Sequence, residues 1–423
     1  MKKIDYTVLK DYPLKVFAYK KHGRSLKWWT KWKKYHSQRF LPGILLIAVT
    51  AISVLIANSN FKGVYDEIFH HINLVGNFNL HAIVNDFLMA IFFLYVGLEI
   101  KKEILEGSLS SFKKASFPVI ASLGGVIVPA IIFMIINRNT KYLPGVGVAI
   151  STDIAFAIGI FMIFKSKLNS NLKIFLLSLA VVDDLISILA IVFLYSAKIN
   201  MRAMLISAAI LLILMTINKV FKVDNVYVYL FVGLFLWYFV YSSGIHATIS
   251  GVLLAATIPS RKTKGEESTA DRLEHRLGKL SNLLILPLFA FANTSIALNL
   301  NVNVTDASNL VMGIMCGLVI GKPLGVVSFS FIATKLHIAE KPEKASWISI
   351  TEVALLTGIG FTMSIFVSEL AFSYDENVIN LAKISILTAS MTSVIFTQIA
   401  LYLKHSFVGV KIKSLIGLMR VKY

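Results

Sequence analysis

The segment Ile174–Ala197 decides the fold class: it reads IFLLSLAVVDDLISILAIVFLYSA, and its only charged residues are the adjacent pair Asp183 and Asp184. A helix needs about 20 mainly apolar residues to span a bilayer, so this segment is predicted to cross a membrane. A charged side chain at that depth costs about 2.5 kcal/mol or more, so two adjacent carboxylates call for a functional reason.

The composition of the whole chain agrees with this prediction. Of its 423 residues, 56% are hydrophobic and 15% are charged, whereas about a quarter of the residues are charged in ordinary soluble domains. This composition excludes both a set of soluble domains and a disordered chain. The single cysteine, Cys316, excludes a disulfide-stapled secreted protein. We therefore predict an all-α polytopic membrane protein.

About twelve apolar segments are long enough to be transmembrane helices. The predicted spans are Leu41–Ala57, Ile83–Ile100, Phe117–Ile136, Leu143–Phe164, Ile174–Ala197, Met201–Asn218, Val226–Ser242, Ile245–Pro259, Leu283–Leu300, Leu310–Thr334, Trp347–Leu370 and Ile379–Leu403. They define a transmembrane domain over residues 41–403, flanked by a basic N-terminal arm (residues 1–40) and a basic C-terminal tail (residues 404–423).

Basic residues are distributed unequally between the two sides of this domain. The arm, the tail and the loops after even-numbered spans hold 35 of the 42 lysine and arginine residues. Because basic loops stay on the cytoplasmic side, both termini are predicted to be cytoplasmic. The arm also carries Trp28, Trp29 and Trp32 among its lysines, which favours contact with anionic lipid headgroups over nucleic-acid binding.

The predicted spans contain several ionisable residues. Four lie deep and two nearer the span ends: Asp153, Asp183, Asp184 and Lys322, then Asp86 and Glu352. Neighbouring helix positions point about 100° apart, so Asp183 and Asp184 can line one cavity but cannot share a proton face to face, as an intramembrane aspartyl protease requires. They should titrate as a coupled pair. Because carboxylate oxygens suit hard cations such as Na⁺, the pair is suited to exchanging a cation for protons. No role is assigned to Glu352.

Two spans are interrupted near their centres. Span four contains Thr152 and Asp153, and span eleven contains Gly358 and Gly360. Such interruptions in corresponding positions indicate broken helices around a site at the middle of the membrane. Because half-helix ends carry about half a charge each, Asp153 is expected to neutralise positive ends and Lys322 negative ends.

Span ten contains Gly317, Gly321 and Gly325 at four-residue spacing. Small residues at this spacing form a ridge that lets another helix approach closely. The ridge is therefore interpreted as a packing surface that helps to bring Lys322 near the aspartates.

From about Leu41 to Leu403 the chain resembles the NhaA family of sodium/proton antiporters. The resemblance rests on the strings Tyr95-Val-Gly-Leu-Glu-Ile-Lys-Lys-Glu103, Ser151-Thr-Asp-Ile-Ala-Phe-Ala157, Ala180-Val-Val-Asp-Asp184, Pro287-Leu-Phe-Ala-Phe-Ala-Asn293, Gly321-Lys-Pro-Leu-Gly325 and Gly358-Ile-Gly-Phe-Thr-Met-Ser364. It implies an inverted-repeat fold in which spans four and eleven are broken, crossed helices, with Thr152 and Asp153 at the crossing. It also implies that Asp183 and Asp184 carry Na⁺ and protons, and that Lys322 pairs with Asp183 when Na⁺ is absent.

The resemblance further implies a cytoplasmic pH-responsive cluster, matched here by Glu99, Lys102, Glu103, Arg272, Glu274 and His275. Two positions depart from the family pattern. Lys102 stands where some relatives have arginine, and Asp271 stands where a relative has lysine, so the operating pH is left open. A homodimer, through the segment Asp66–His81, is implied by resemblance alone.

We therefore expect an electrogenic, pH-regulated transporter in a bacterial inner membrane that exchanges cytoplasmic Na⁺ (or Li⁺) for external protons. No use of ATP is expected, since the chain has no glycine-rich phosphate loop followed by lysine and serine or threonine. No cofactor beyond the transported ions and no enzyme activity are expected. An ion-coupled symporter or a channel built on the same broken-helix site is the alternative. The preference between Na⁺ and Li⁺ and the oligomeric state are left open.

Overall fold

A computed structural model describes residues 25–420, except residues 76–77, 165–167, 170–171, 196–198, 263–266, 297–303 and 343–344. The larger part of the predicted N-terminal arm, residues 1–24, and the last residues of the predicted tail, 421–423, lie outside the described residues. The described part is helical apart from one short antiparallel hairpin, Asn73–Val75 with Phe78–Asn79, in which Asn73 pairs with Asn79.

The helices are numbered in chain order. They are α1 (Ser25–Ala57), α2 (Lys62–Asp66), α3 (Leu80–Leu105), α4 (Phe112–Asn137), α5 (Val146–Ile150), α6 (Ile154–Ile163), α7 (Leu172–Tyr195), α8 (Met201–Lys219), α9 (Val226–Ser242), α10 (Ile249–Thr257), α11 (Thr269–Leu280), α12 (Leu286–Asn293), α13 (Val304–Met315), α14 (Lys322–Lys335), α15 (Trp347–Thr357), α16 (Phe361–Ala371) and α17 (Glu376–Arg420). Wider π-type turns lie within α3 (Ile83–Leu88), between α11 and α12 (Ser281–Ile285), and between α13 and α14 (Cys316–Gly321).

Seven helices in the described ranges are long and apolar enough to cross a membrane, and up to nine spans result if each of two bent helix pairs counts as one. The chain is thus a polytopic helical membrane protein. Three of the twelve predicted spans correspond to shorter helices: α9 has 17 residues, α10 has nine and α12 has eight. The count of twelve therefore stays a prediction.

The connection between α9 and α10 has six residues, 243–248, where the predicted spans left only two. Gly244 adopts a φ of 83° there, a conformation that glycine enters without steric cost. The chain can therefore reverse direction within a few residues, and α10 returns beside α9.

Glycines bring two pairs of helices into backbone contact. A methyl group on Gly325 of α14 would overlap the carbonyl oxygen of Gly124 of α4, and one on Gly251 of α10 would overlap that of Ala90 in α3. The glycine ridge continues toward α13, where a Cβ on Gly317 would lie 2.8 Å from the Cβ of Ala149. The ridge therefore packs against α4 and α5, next to the turn that precedes Lys322.

Candidate functional site

The helical interruptions in spans four and eleven lie against each other. Between α5 and α6, residues 151–153 are not helical, and the backbone N–H of Asp153 donates to the carbonyl oxygen of Ile359 at 2.8 Å. Ile359 lies in the short break between α15 and α16, which are bent by 45° relative to each other. Two pairs of half-helices therefore end at one place inside the protein.

The carboxylate of Asp153 binds the N-terminal ends of two of these half-helices. Its Oδ1 accepts from the backbone N–H of Phe156 at 2.9 Å, which caps α6. Its Oδ2 accepts from the backbone N–H of Thr362 at 3.1 Å and from the Thr362 hydroxyl, both at the start of α16. Negative charge is stabilised at helix N-termini, so the position of this buried carboxylate suits its charge.

Lys322 and Asp183 form a buried ion pair beside the interruption. The Nζ atom of Lys322 lies 2.6 Å from Oδ2 of Asp183, and the two side chains are 0% and 1% exposed. Lys322 also donates to the hydroxyl of Thr152. Asp183 has a further donor in Ser122 of α4, whose hydroxyl donates to Oδ1 at 3.1 Å. Both oxygens of Asp183 are thus hydrogen-bonded.

The Thr152 hydroxyl connects the ion pair to span eleven. Its oxygen lies 2.6 Å from Oδ2 of Asp183 and 3.0 Å from the carbonyl oxygen of Thr357 at the end of α15. A hydroxyl has one proton, so it can donate to only one of these acceptors at a time while it accepts from Lys322. Thr152 can therefore change its hydrogen bond when the state of Asp183 changes.

Asp184 differs from its neighbour. It is 2% exposed, and within the described ranges its Oδ1 has no hydrogen-bond partner. It lines a cavity of about 290 Å³, named here the Asp184 cavity, whose wall also includes Tyr95, Glu99, Asp153, Lys173 and Thr362. A buried oxygen without a donor is costly unless a proton or a cation satisfies it. Among the carboxylates in this wall, the unpartnered oxygen makes Asp184 a candidate to accept a proton or a hard monovalent cation.

The residues expected to form a pH-responsive cluster have different direct contacts. Glu99 lines the Asp184 cavity. Lys102 pairs with Glu274 at 2.6 Å, and His275, which is 65% exposed, lies 3.9 Å from the same carboxylate. Glu103 accepts from the backbone N–H and the hydroxyl of Ser108, and Arg272 approaches Thr269 at 3.5 Å. The structure thus brings Lys102, Glu274 and His275 into direct contact, and Glu99 lies within electrostatic range of Lys102, Glu103 and Glu274.

Asp271, the position that departs from the family pattern, has a local structural role. Its carboxylate accepts from the Ser268 backbone N–H at 3.3 Å, and the Ser268 hydroxyl oxygen accepts from the Asp271 backbone N–H at 3.1 Å. This reciprocal arrangement is a capping box at the N-terminus of α11. Asp271 also lies 3.9 Å from Lys102, so it contributes charge to the Lys102–Glu274 pair.

The two acids predicted nearer the span ends occupy different surroundings. Asp86 lies in the π-type turn of α3 and is partly exposed. Glu352 of α15 is 1% exposed and pairs with Lys404 of α17 at 2.8 Å. Its Oε1 has no hydrogen-bond partner among the residues described. This ion pair links one half-helix of span eleven to the last helix.

Sequence reasoning missed two residues that complete the site. Ser122 donates to Asp183, and Thr362 donates to Asp153. Thr362 lies in one of the motif strings, so its polarity next to the glycine interruption was an available signal. Ser122 lies in an otherwise apolar span, where a serine can equally bond to its own backbone, so nothing in the sequence distinguished it.

Comparison with known proteins identifies relatives that cover most of the chain. The model of the family "Na+/H+ antiporter 1" matches residues 33–401. The "Na(+)/H(+) antiporter NhaA 2" of Aliarcobacter butzleri is 44% identical, covering 88% of this chain and 96% of that protein. The "Na(+)/H(+) antiporter NhaA" of Pelagibacter ubique is 41% identical (84% and 92%), and that of Helicobacter pylori strain 26695 is 37% identical (88% and 94%).

Proposed function

Because the chain belongs to the Na⁺/H⁺ antiporter 1 family, which consists of transporters rather than enzymes, we propose that it exchanges sodium ions for protons across a membrane. The observation that carries the proposal is the difference between the two aspartates. Asp183 has partners for both oxygens, whereas Asp184 lines the Asp184 cavity and its Oδ1 has no partner among the residues that the structure describes.

Exchange requires that the cation and the protons compete for the same groups. Asp184 accepts either a proton or Na⁺ (or Li⁺) from the cavity. Na⁺ favours several oxygen ligands, and the adjacent carboxylate of Asp183 and the Thr152 hydroxyl supply further oxygens nearby. Using Asp183 as a ligand displaces Lys322 from its ion pair, so cation binding and the Lys322–Asp183 pair exclude each other. No resident cofactor is part of this mechanism.

The number of protons exchanged for each Na⁺ follows from the same competition. We propose that more than one proton moves for each Na⁺, because two carboxylates and Lys322 all change their state. A net charge then crosses the membrane, and each elementary charge gains about 2.3 kcal/mol per 100 mV. In this proposal protons enter from outside and Na⁺ leaves the cytoplasm. The protein lies in a bacterial inner membrane with both termini cytoplasmic, an orientation that the basic loops favour.

The proposed architecture contains twelve spans in two inverted repeats, with α5–α6 and α15–α16 as the broken, crossed helices. Support comes from the contact between Asp153 and Ile359 and from the bond between Thr152 and Thr357. The hairpin segment Asp66–His81 is proposed as the contact of a homodimer, and the Lys102–Glu274–His275 group as the pH-responsive surface. Residues 41–403 form the transport domain in this proposal.

Purified protein in proteoliposomes tests the proposal. An imposed Na⁺ gradient should drive protons in the opposite direction, and the flux should disappear in Asp184→Asn. A symporter built on the same site would move protons in the same direction as Na⁺. A Na⁺ channel would not couple proton movement to the movement of Na⁺. Either result in the unaltered protein would contradict antiport.

A further inference from the structure

The last helix, α17, lies alongside both halves of span eleven. Lys383 of α17 forms an ion pair with Glu369 of α16 at 2.6 Å. Further along α17, Lys404 pairs with Glu352 of α15 at 2.8 Å. The two lysines are 21 positions apart in the sequence, which is about 31 Å along a helix and close to the thickness of the hydrocarbon core of a bilayer. α17 is therefore attached to each half-helix separately, and the break lies between the two ion pairs.

Two buried serines of α17 contact the break itself. The Ser390 hydroxyl oxygen accepts from the backbone N–H of Phe361 at 3.3 Å. Ser393 follows three residues later, so it lies on the same face of α17, and its Oγ would be 2.6 Å from a Cβ on Gly358. The Ser393 hydroxyl has no hydrogen-bond partner among the described residues. Of the two serines, Ser390 is thus the one that binds the backbone of span eleven.

The residue that Ser390 binds has an unusual backbone conformation. Phe361 has a φ of 20°, and residues with a bulky side chain rarely adopt a positive φ. Such a conformation persists only where the surrounding contacts stabilise it. The structure shows two such contacts: the hydrogen bond to Ser390, and the packing of the Phe361 ring against Phe156 of α6, with ring centroids 5.0 Å apart.

Phe361 lies between the two residues of span eleven that contact Asp153. The next residue, Thr362, donates its backbone N–H and its hydroxyl to the Asp153 carboxylate. Two residues before Phe361, the carbonyl oxygen of Ile359 accepts from the backbone N–H of Asp153. Asp153 and Thr362 both line the Asp184 cavity. A change in the backbone of Phe361 would therefore move part of the cavity wall.

We propose that Ser390 is a positioning residue for the ion site, because its bond to Phe361 keeps the break in the conformation in which Thr362 binds Asp153. Ser390 is not among the described residues that line the Asp184 cavity, so it acts through the backbone of span eleven and not as a ligand. The two ion pairs keep α17 aligned with both half-helices. The inference rests on the proposed function, since it takes the Asp184 cavity as the place where Na⁺ binds.

The Na⁺ dependence of exchange tests this role. In proteoliposomes, Ser390→Ala should raise the KM for Na⁺ several-fold, the scale set by the loss of one buried hydrogen bond, while the maximal proton flux changes little. Ser390→Cys fills the same space with a weak acceptor, so its KM should also rise. The matched control is Ser385→Ala, which should keep the KM of the unaltered protein. Ser385 is a buried serine of the same helix, but its hydroxyl donates to the carbonyl oxygen of Leu381 within α17.

Amide hydrogen exchange gives a second readout, which does not depend on transport. The rate at which a backbone N–H exchanges reports how often its hydrogen bond opens. In purified protein, Ser390→Ala should make the peptide that covers residues 358–364 exchange several-fold faster, because the Phe361 N–H loses its acceptor. Ser385→Ala should leave the exchange of this peptide unchanged.

The outcomes separate this inference from the proposed function. Absence of Na⁺-driven proton flux in the unaltered protein would refute antiport, and hydrogen exchange would then decide whether Ser390 stabilises the break. Equal exchange in Ser390→Ala and the unaltered protein would overturn the positioning role, even if antiport were normal. So would an unchanged KM for Na⁺ in Ser390→Ala, or the same rise in KM in Ser385→Ala, because the latter would indicate a general packing effect.

Discussion

Lys322 on α14 and Asp183 on α7 lie with Nζ and Oδ2 2.6 Å apart, in an ion pair that is closed to solvent. The pair connects helices far apart in the sequence at the place where the half-helices meet. Asp184, the next residue, lines the Asp184 cavity and has an oxygen without a partner among the described residues. One aspartate is thus paired with a buried cation, and the other lies beside a cavity.

Asp184→Asn should abolish exchange, and Asp183→Asn should impair or abolish it. The amide removes both the charged ligand of the cation and the proton acceptor. Na⁺-driven proton flux in proteoliposomes measures the effect. Glu340→Gln provides the control, because its side chain is 74% exposed and lies outside the site, and its flux should be normal. Near-normal flux in Asp184→Asn would contradict the role given to this residue.

Lys322→Ala should lower thermal stability in detergent, because it leaves the Asp183 carboxylate buried without its cation. Removing one partner of a buried ion pair costs about 3–5 kcal/mol. Lys322→Arg should be milder. The double variant Lys322→Ala with Asp183→Asn should recover part of the loss, since it removes the unpaired charge as well. Equal melting temperatures for Lys322→Ala and the unaltered protein would show that the pair does not stabilise the fold.

Gly325→Ala should destabilise the protein by about 1–3 kcal/mol, the usual cost of inserting a methyl group into a well-packed interface. The new Cβ would overlap the backbone of Gly124 and push α14 away from α4. Because Lys322 is on α14 and Ser122 on α4, flux should fall together with stability. Gly63→Ala is the matched control, since no atom lies within 4 Å of the position its Cβ would occupy. A Gly325→Ala protein as stable as Gly63→Ala would refute the close contact.

Asp271→Lys should move the pH of half-maximal exchange downward without lowering maximal activity. A positive charge at this position favours the deprotonated forms of the neighbouring groups, so they change state at lower pH. The substitution also removes the side-chain half of the capping box of α11 that Asp271 provides, while the Ser268 hydroxyl can still accept from the backbone N–H of residue 271. Ser268→Ala removes the other half, a loss of about 1 kcal/mol, without changing charge, so its pH profile should overlay that of the unaltered protein. If the Asp271→Lys and His275→Ala profiles overlay it too, the aspartate pair itself senses pH.

Much of the architecture was accessible from the sequence because the membrane restricts the possibilities. A run of apolar residues such as Ile174–Ala197 has few alternatives to a spanning helix. The cost of burying charge also drew attention to Asp153, Asp183 and Lys322. The ion pair between Lys322 and Asp183 could not be derived from the sequence, because the number of residues between them says nothing about their distance in space. The expectation that they pair came from the family resemblance.

The surroundings of Glu99 could not be predicted from the sequence pattern. It closes a predicted span, where a carboxylate can reach water or turn toward the interior. On α3 it lies four residues after Tyr95, which places both on one face of the helix, and that face borders the Asp184 cavity. Only the packing of the neighbouring helices decides which face borders a cavity.

The contact between Gly124 and Gly325 limits the substitutions that the protein can accept at these two positions. Elsewhere in the core, a larger residue on one helix can be compensated by a smaller one on its neighbour. Here both partners already have the smallest side chain, so neither can shrink to accept a change in the other. A larger residue at either of these two positions therefore cannot be compensated by a smaller one at the other.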